Sequence, residues 1–202
     1  MASGSAKLAP ALSIVTDAPG ELDRDEVARA ARGDAAAFRR LFERHAPPVR
    51  RFLGDMLRDD SAADEAAQET FVRAHARLPT LRDCDKLSTW LFGIARLVAL
   101  EELRARRRHP VAAPPESDAR VDSTLSPEGL LIAREADRLL GSALEALEEE
   151  RRAALLLRLD HGLDYAEVGA VMGWSPAKVK NEIHRARLTL RARLCKYVEG
   201  ET

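Results

Sequence analysis

The chain is 202 residues long, with 32 Lys and Arg against 33 Asp and Glu and a formal net charge of -1. Its 46% hydrophobic and 32% charged residues exclude a wholly disordered chain, and no apolar run is long enough to span a membrane. Aromatics are only 4%, and Ala, Leu, Arg and Glu dominate, a mixture that points to an all-α fold of one large or two small domains and away from sandwiches and barrels.

Residues 1–20 mix Ala, Ser, Gly and Pro without periodicity and read as a flexible tail. Lys7 is its one basic residue before Arg24, and Leu12 to Val15 is too short an apolar stretch for a secretory signal, so no targeting segment is expected. Cys84 and Cys195 stand far apart with no CxxC and no His cluster, which predicts a reduced, cytoplasmic protein with no metal and no cofactor. From Glu21 a helical domain runs to residue 108. Phe38, Leu41 and Phe42 mark one apolar face, and Val49, Phe52, Leu53, Met56 and Leu57 mark another, with Pro47 and Pro48 expected to separate the two pieces. Ser61 with Asp64 signals the start of the next helix, whose inner face is Ala63, Ala67, Phe71, Ala74 and Leu78, and Pro79 closes it. After the loop Thr80 to Lys86, Ser88 opens a long helix that turns Trp90, Leu91, Ile94 and Val98 inward and ends in Arg104, Arg106, Arg107 and Arg108.

Pro110, Pro114 and Pro115 among polar residues make 109–125 a linker, able to hold two units tens of ångströms apart at roughly 3 Å per extended residue. The second domain, 126–202, opens on Ser126 and Pro127. It continues through a run to Leu147, an apolar run Ala153 to Leu159, a short helix from Asp164 to Met172 and a final helix from Pro176 to Val198.

The segment richest in information is Asp164 to Arg187. Asp164 and Glu167 fit a reciprocal cap, Gly173 fits a helix stop, and Ser175-Pro176 starts a second helix after a three-residue turn. That spacing is a helix-turn-helix. Val179, Ile183, Ala186, Leu190 and Leu194 form the buried face of the second helix, which leaves Lys178, Lys180, Asn181, His184, Arg185 and Arg187 outside. Between Trp174 and Lys196 seven basic residues face a single acid, Glu182, so phosphate neutralisation and contact with base edges are both in reach. A basic stripe alone would better describe a solvated face; the glycine turn and the caps reverse that reading to DNA. In the first domain Asp59, Asp60, Asp64, Glu65 and Glu69 cluster at a helix start, where carboxylates also serve as ordinary caps, and the arginines from Arg96 to Arg108 form a possible second nucleic-acid surface.

Asp64-Glu-Ala-Ala-Gln-Glu-Thr-Phe71, Ser88-Thr-Trp-Leu-Phe-Gly-Ile-Ala-Arg96, Leu155-Leu-Leu-Arg158, Tyr165-Ala-Glu-Val168 and His184-Arg-Ala-Arg187 together resemble the bacterial extracytoplasmic-function sigma factors, in order, over roughly residues 22 to 196. The resemblance implies a sigma-2 domain joined to a sigma-4 domain. In it, Asp64, Glu65, Gln68 and Glu69 bind core RNA polymerase. Thr80, Arg82, Asp83, Lys86, Arg96 and Arg104 serve the minus-10 promoter element, where a flipped base is captured and the opened strand held. Ser175, Lys178, Lys180, Asn181, His184 and Arg185 read the minus-35 element. It also implies a cognate anti-sigma factor as a partner. The chain departs from the family pattern at Leu97, usually Asn, at Glu101, usually Asp, at the small Ala66 and Ala67, and at Trp174 in a turn that is usually aliphatic. The alternative is a helix-turn-helix regulator that acts on DNA without entering polymerase. An enzyme finds no support, since there is no nucleophile elbow, phosphate loop, metal spacing or carboxylate pair with a chemical rationale.

Overall fold

The computed structural model describes residues 21–109 and 126–198. The expected tail and nearly all of the expected linker lie outside the described residues. Among those described there is no strand: eight α-helices and two 3-10 turns make the fold all-α.

Helix α1 (Glu21–Ala31) ends at Gly33, whose φ of 95° reverses the chain, and Asp34 caps α2 (Ala35–Leu57) by accepting from the Ala36 and Ala37 amides at 3.0 and 3.1 Å. α2 runs unbroken through Pro47 and Pro48, where the sequence had suggested two pieces. Each proline withholds one backbone donor, and the carbonyls four residues earlier belong to Glu43 and Arg44, both exposed to water. The opposite face stays apolar throughout, with Leu41, Val49, Phe52, Leu53 and Met56 buried at helical spacing. Burial at about 1.5–3 kcal/mol per large side chain outweighs two lost helix bonds.

The cap of α3 (Asp60–Arg77) lies two residues before the expected Ser61. Its cap is Asp59, which accepts from the Ala62 amide at 3.0 Å and leaves Ser61 exposed in the first turn. Pro79 sits in a 3-10 turn, Leu78–Thr80, that ends this helix; a second 3-10 turn, Cys84–Lys86, capped by Asp83, leads into α4 (Leu87–Arg108). In the second half, Ser126 caps α5 (Pro127–Glu145), followed by α6 (Glu149–Leu159), α7 (Tyr165–Met172) and α8 (Pro176–Val198).

The halves touch. Helix α4 packs on α7, and α2 on α6. His161, buried after α6, lies edge-on to Phe52 and tilted against Phe92, at centroid distances of 5.8 and 4.8 Å. Among the described residues, ion pairs cross the seam from Arg51 to Asp160 at 2.5 Å, from Arg58 to Asp137 at 3.3 Å, from Arg96 to Glu150 at 2.6 Å and from Arg107 to Glu149 at 3.0 Å. In each the arginine comes from the first half and the acid from the second. Arg58, the left-handed cap of α2 (φ 54°), lays its guanidinium against Gly141 of α5, where a β-carbon would overlap it.

Candidate functional site

The chemistry falls on three surfaces. On α3, Ala63, Ala66, Thr70, Phe71 and Ala74 face the core, which leaves Asp64, Glu65, Gln68 and Glu69 exposed along one side. Arg50 of α2 binds Asp64 through two nitrogens and depresses its carboxyl pKa below the ordinary aspartate range. Glu69 accepts from Arg73 at 2.6 Å, and Arg73 also reaches Glu101 at 2.8 Å. Glu65 and Gln68 have no side-chain partner among the described residues, so they are the members of this face most open to a cationic partner. Val72, exposed beside them, adds an apolar element that the charge pattern did not signal.

The second surface is the connection from α3 to α4. Thr80 donates its hydroxyl to the Arg77 carbonyl at 2.7 Å, and Asp83 accepts from the Asp85 amide at 3.1 Å while lying 3.3 Å from the Lys86 ammonium. Arg24 of α1 clasps Asp85 with two nitrogens and ties the turn to the domain. Thr80, Arg82, Asp83 and Lys86 are therefore exposed on a loop of fixed shape. Arg96 is not with them. It lies two to three turns further along α4, 13% exposed, donates to both Glu150 oxygens at 2.6 to 3.0 Å and reaches the Val171 carbonyl at 3.5 Å. Arg106 is also engaged, with Asp59 at 3.0 Å and Glu102 at 2.9 Å. Arg104 and Arg108, with the Glu149-paired Arg107, line an open hollow with Glu101, and Leu97 is exposed on the same helix.

The third surface is the pair α7 and α8. Asp164 accepts from the Ala166 and Glu167 amides at 2.7 and 2.8 Å, and Glu167 returns the bond to the Asp164 amide at 2.7 Å. Gly173 stops α7 at φ 67°, and the Ser175 hydroxyl accepts from the Lys178 amide at 3.3 Å to start α8. Trp174 is half-buried; its carbonyl presses on Gly169, and its ring carries the Lys178 ammonium at 4.2 Å, a cation–π contact that draws Lys178 back over the turn. With Val179, Ile183 and Ala186 buried, Ser175, Lys180, Asn181, His184 and Arg185 stand on the exposed side with Arg187, Arg191 and Arg193. Glu182 is different from its neighbours. It is 14% exposed, accepts from Arg151 of α6 at 2.7 Å and from Arg185 at 3.0 Å, and Arg151 holds its pKa low. The partner lies 31 positions away, outside any local pattern.

Residues 41–109 match the family model of Sigma-70 region 2, and residues 137–190 match that of Sigma-70 region 4. The RNA polymerase sigma-H factor of Pseudomonas aeruginosa is 31% identical over 179 residues, 83% of this chain and 91% of that protein. The ECF RNA polymerase sigma-E factor of Escherichia coli is 30% identical over 173 residues, 82% of this chain and 90% of that protein. Among solved structures, CnrH in complex with the cytosolic domain of CnrY aligns with a TM-score of 0.64 at 26% identity, over 89% of this chain and 99% of the other. The sigma factor RpoE in complex with the anti-sigma factor NepR from Bartonella quintana aligns with a TM-score of 0.62 at 22% identity, over 78% and 96%, a likeness of fold.

Proposed function

Because this chain belongs to the extracytoplasmic-function sigma factors of the sigma-70 family, we propose that it docks on core RNA polymerase through α3, brings the enzyme to a defined class of promoters and assists strand opening. On this reading Asp64, Glu65, Gln68 and Glu69 meet a basic element of the polymerase. The Thr80 to Lys86 loop with Arg82, Asp83 and Arg104 receives the minus-10 strand, joined by Arg96 once Glu150 releases it. The exposed side of α8 enters the major groove at the minus-35 element, with Ser175, Lys178, Lys180, Asn181, His184 and Arg185 toward the bases and phosphates. Residues 21–108 and 126–202 act as the two promoter-reading domains, and the stretch between them connects the two sites. The chain works in the cytoplasm as a binding subunit, not an enzyme. Because the sigma factor RpoE of Bartonella quintana, a structural neighbour, is in complex with the anti-sigma factor NepR, a partner of the anti-sigma kind is the expected regulator.

The observation that carries this reading is the order of surfaces: an acidic, exposed α3 in the region 2 segment and a basic, exposed α8 in the region 4 segment of one chain. Reconstitution with core polymerase and mapping of transcript ends tests it. A defined start site that requires both proteins is expected, and Glu65→Lys should weaken association with core without lowering the melting temperature. Tight, sequence-specific duplex binding by the free chain, with no change in transcription on adding it to core, would favour the helix-turn-helix regulator instead.

A further inference from the structure

Glu182 is the one acid among seven basic residues between Trp174 and Lys196. On a helix that faces phosphates an acid weakens attraction, and a neutral helix former would serve the helix as well. Its surroundings give it a use. Oε2 accepts from the Arg151 Nε at 2.7 Å, and Oε1 accepts from the Arg185 Nη1 at 3.0 Å. Arg151 stands on α6, whose next six residues, Arg152 to Leu157, are all buried, so the anchor belongs to an element packed into the core.

We propose that Glu182 is a positioning residue for promoter reading, holding Arg185 by one nitrogen so that the opposite edge of its guanidinium meets a base pair. The inference rests on Arg185 acting at the minus-35 element. Arg185 is 65% exposed, and a free arginine on such a surface samples many rotamers that binding must collect into one. Bidentate recognition of guanine uses two N–H groups on a single edge. With Nη1 committed to Glu182, the Nε and Nη2 edge remains for O6 and N7. Arg151 also neutralises the carboxylate from the protein side, so the acid presents little repulsion to the nearest phosphate. An ordinary helix pair three residues apart would lack both the third member on another helix and the shielding of its acid.

The test uses the full chain assembled with core polymerase, promoters varied one base pair at a time across the minus-35 element, and transcription measured at several salt concentrations. Arg185→Ala is expected to flatten the preference at one base pair by about 10- to 100-fold. Glu182→Ala should flatten the same base pair by about 3- to 10-fold, spare the others, and steepen the salt dependence by about one ion. Arg151→Met should reproduce the loss at that base pair. In the Arg185→Ala background, Glu182→Ala should add nothing there. If Glu182→Ala unfolds the chain, Glu182→Gln, which keeps an acceptor and loses the charge, is expected to give an intermediate flattening. An unchanged preference in the Glu182 variants, or an equal loss at every position that persists without Arg185, overturns the proposal. No position-specific effect of Arg185→Ala overturns the role of Arg185 beneath it, and the absence of any defined start site with the parent chain overturns the functional reading itself.

Discussion

Glu150→Gln is the sharpest probe of the seam between the halves. The substitution keeps the size and one acceptor of the side chain but removes the charge opposite Arg96, which is 13% exposed and donates to both oxygens of Glu150. Converting charge-assisted bonds to neutral ones costs about 1 to 2 kcal/mol, and Arg96 is then left without a counter-ion in a partly desolvated place. A total near 2 kcal/mol shifts the ratio of closed to open chain by about 30-fold. Arg51→Ala, at a more exposed pair, should shift it by no more than about fivefold, equivalent to about 1 kcal/mol. The two native cysteines give a readout, since Cys84 lies in the first half and Cys195 in the second. Energy transfer between dyes on these two sites should fall in Glu150→Gln, while binding of a single-stranded DNA probe should strengthen as Arg96 becomes free. Raising salt should open the parent chain in part only, because the His161, Phe52 and Phe92 contact is insensitive to ionic screening. Unchanged transfer and unchanged strand binding in Glu150→Gln would refute the idea that this ion pair governs access to Arg96.

Burial, with a smaller contribution from nearby Arg44, holds the His45 imidazole down at about 4, against about 6.5 when free. As pH falls through 6.5 the unfolded chain gains a proton that the folded chain refuses until pH 4, so stability should fall across that window by about 2–3 kcal/mol, and His45→Gln should flatten the fall in urea titrations at pH 7, 5.5 and 4.5. Parallel curves for parent and variant would show that His45 is not the group responsible. Arg152 is 5% exposed, its Nε has no hydrogen-bond partner, and its pKa is lowered chiefly by burial, so Arg152→Met should raise the urea midpoint by an amount equivalent to about 1–2 kcal/mol. A lower midpoint would mean that this guanidinium stabilises the fold. A β-carbon on Gly169 would stand 2.7 Å from the Trp174 carbonyl, so Gly169→Ala should force the turn between α7 and α8 to shift and cost about 1–3 kcal/mol in thermal unfolding; an unchanged melting point would show that the turn yields freely.

What the sequence disclosed best was local. The Asp164 and Glu167 cap, the Gly173 stop and the Ser175 start each depend on residues within a few positions, and all are in the structure with the expected bonds. The split of α2 at Pro47 and Pro48 failed because a chain of five large side chains in one core holds the helix through a local preference against it. The cap of α3 is Asp59 and not Ser61, because an acid two residues earlier serves the same orphan amides and accepts from the Ala62 amide. Positions of the charged candidates on helix faces followed from the 3.6-residue repeat, yet their partners did not. Arg96 meets Glu150 over 54 residues, and Glu182 meets Arg151 over 31, and neither pairing leaves a periodic trace.

The fit of Arg58 into the side of α5 at Gly141 limits how freely such chains can exchange parts. A hybrid that joins this first half to a second half with a side chain at that place would push the end of the guanidinium aside, which a flexible arginine can follow, and the Asp137 pairing would weaken with it. Such a hybrid should therefore lose this one pairing and keep the packing of α4 on α7 and of α2 on α6.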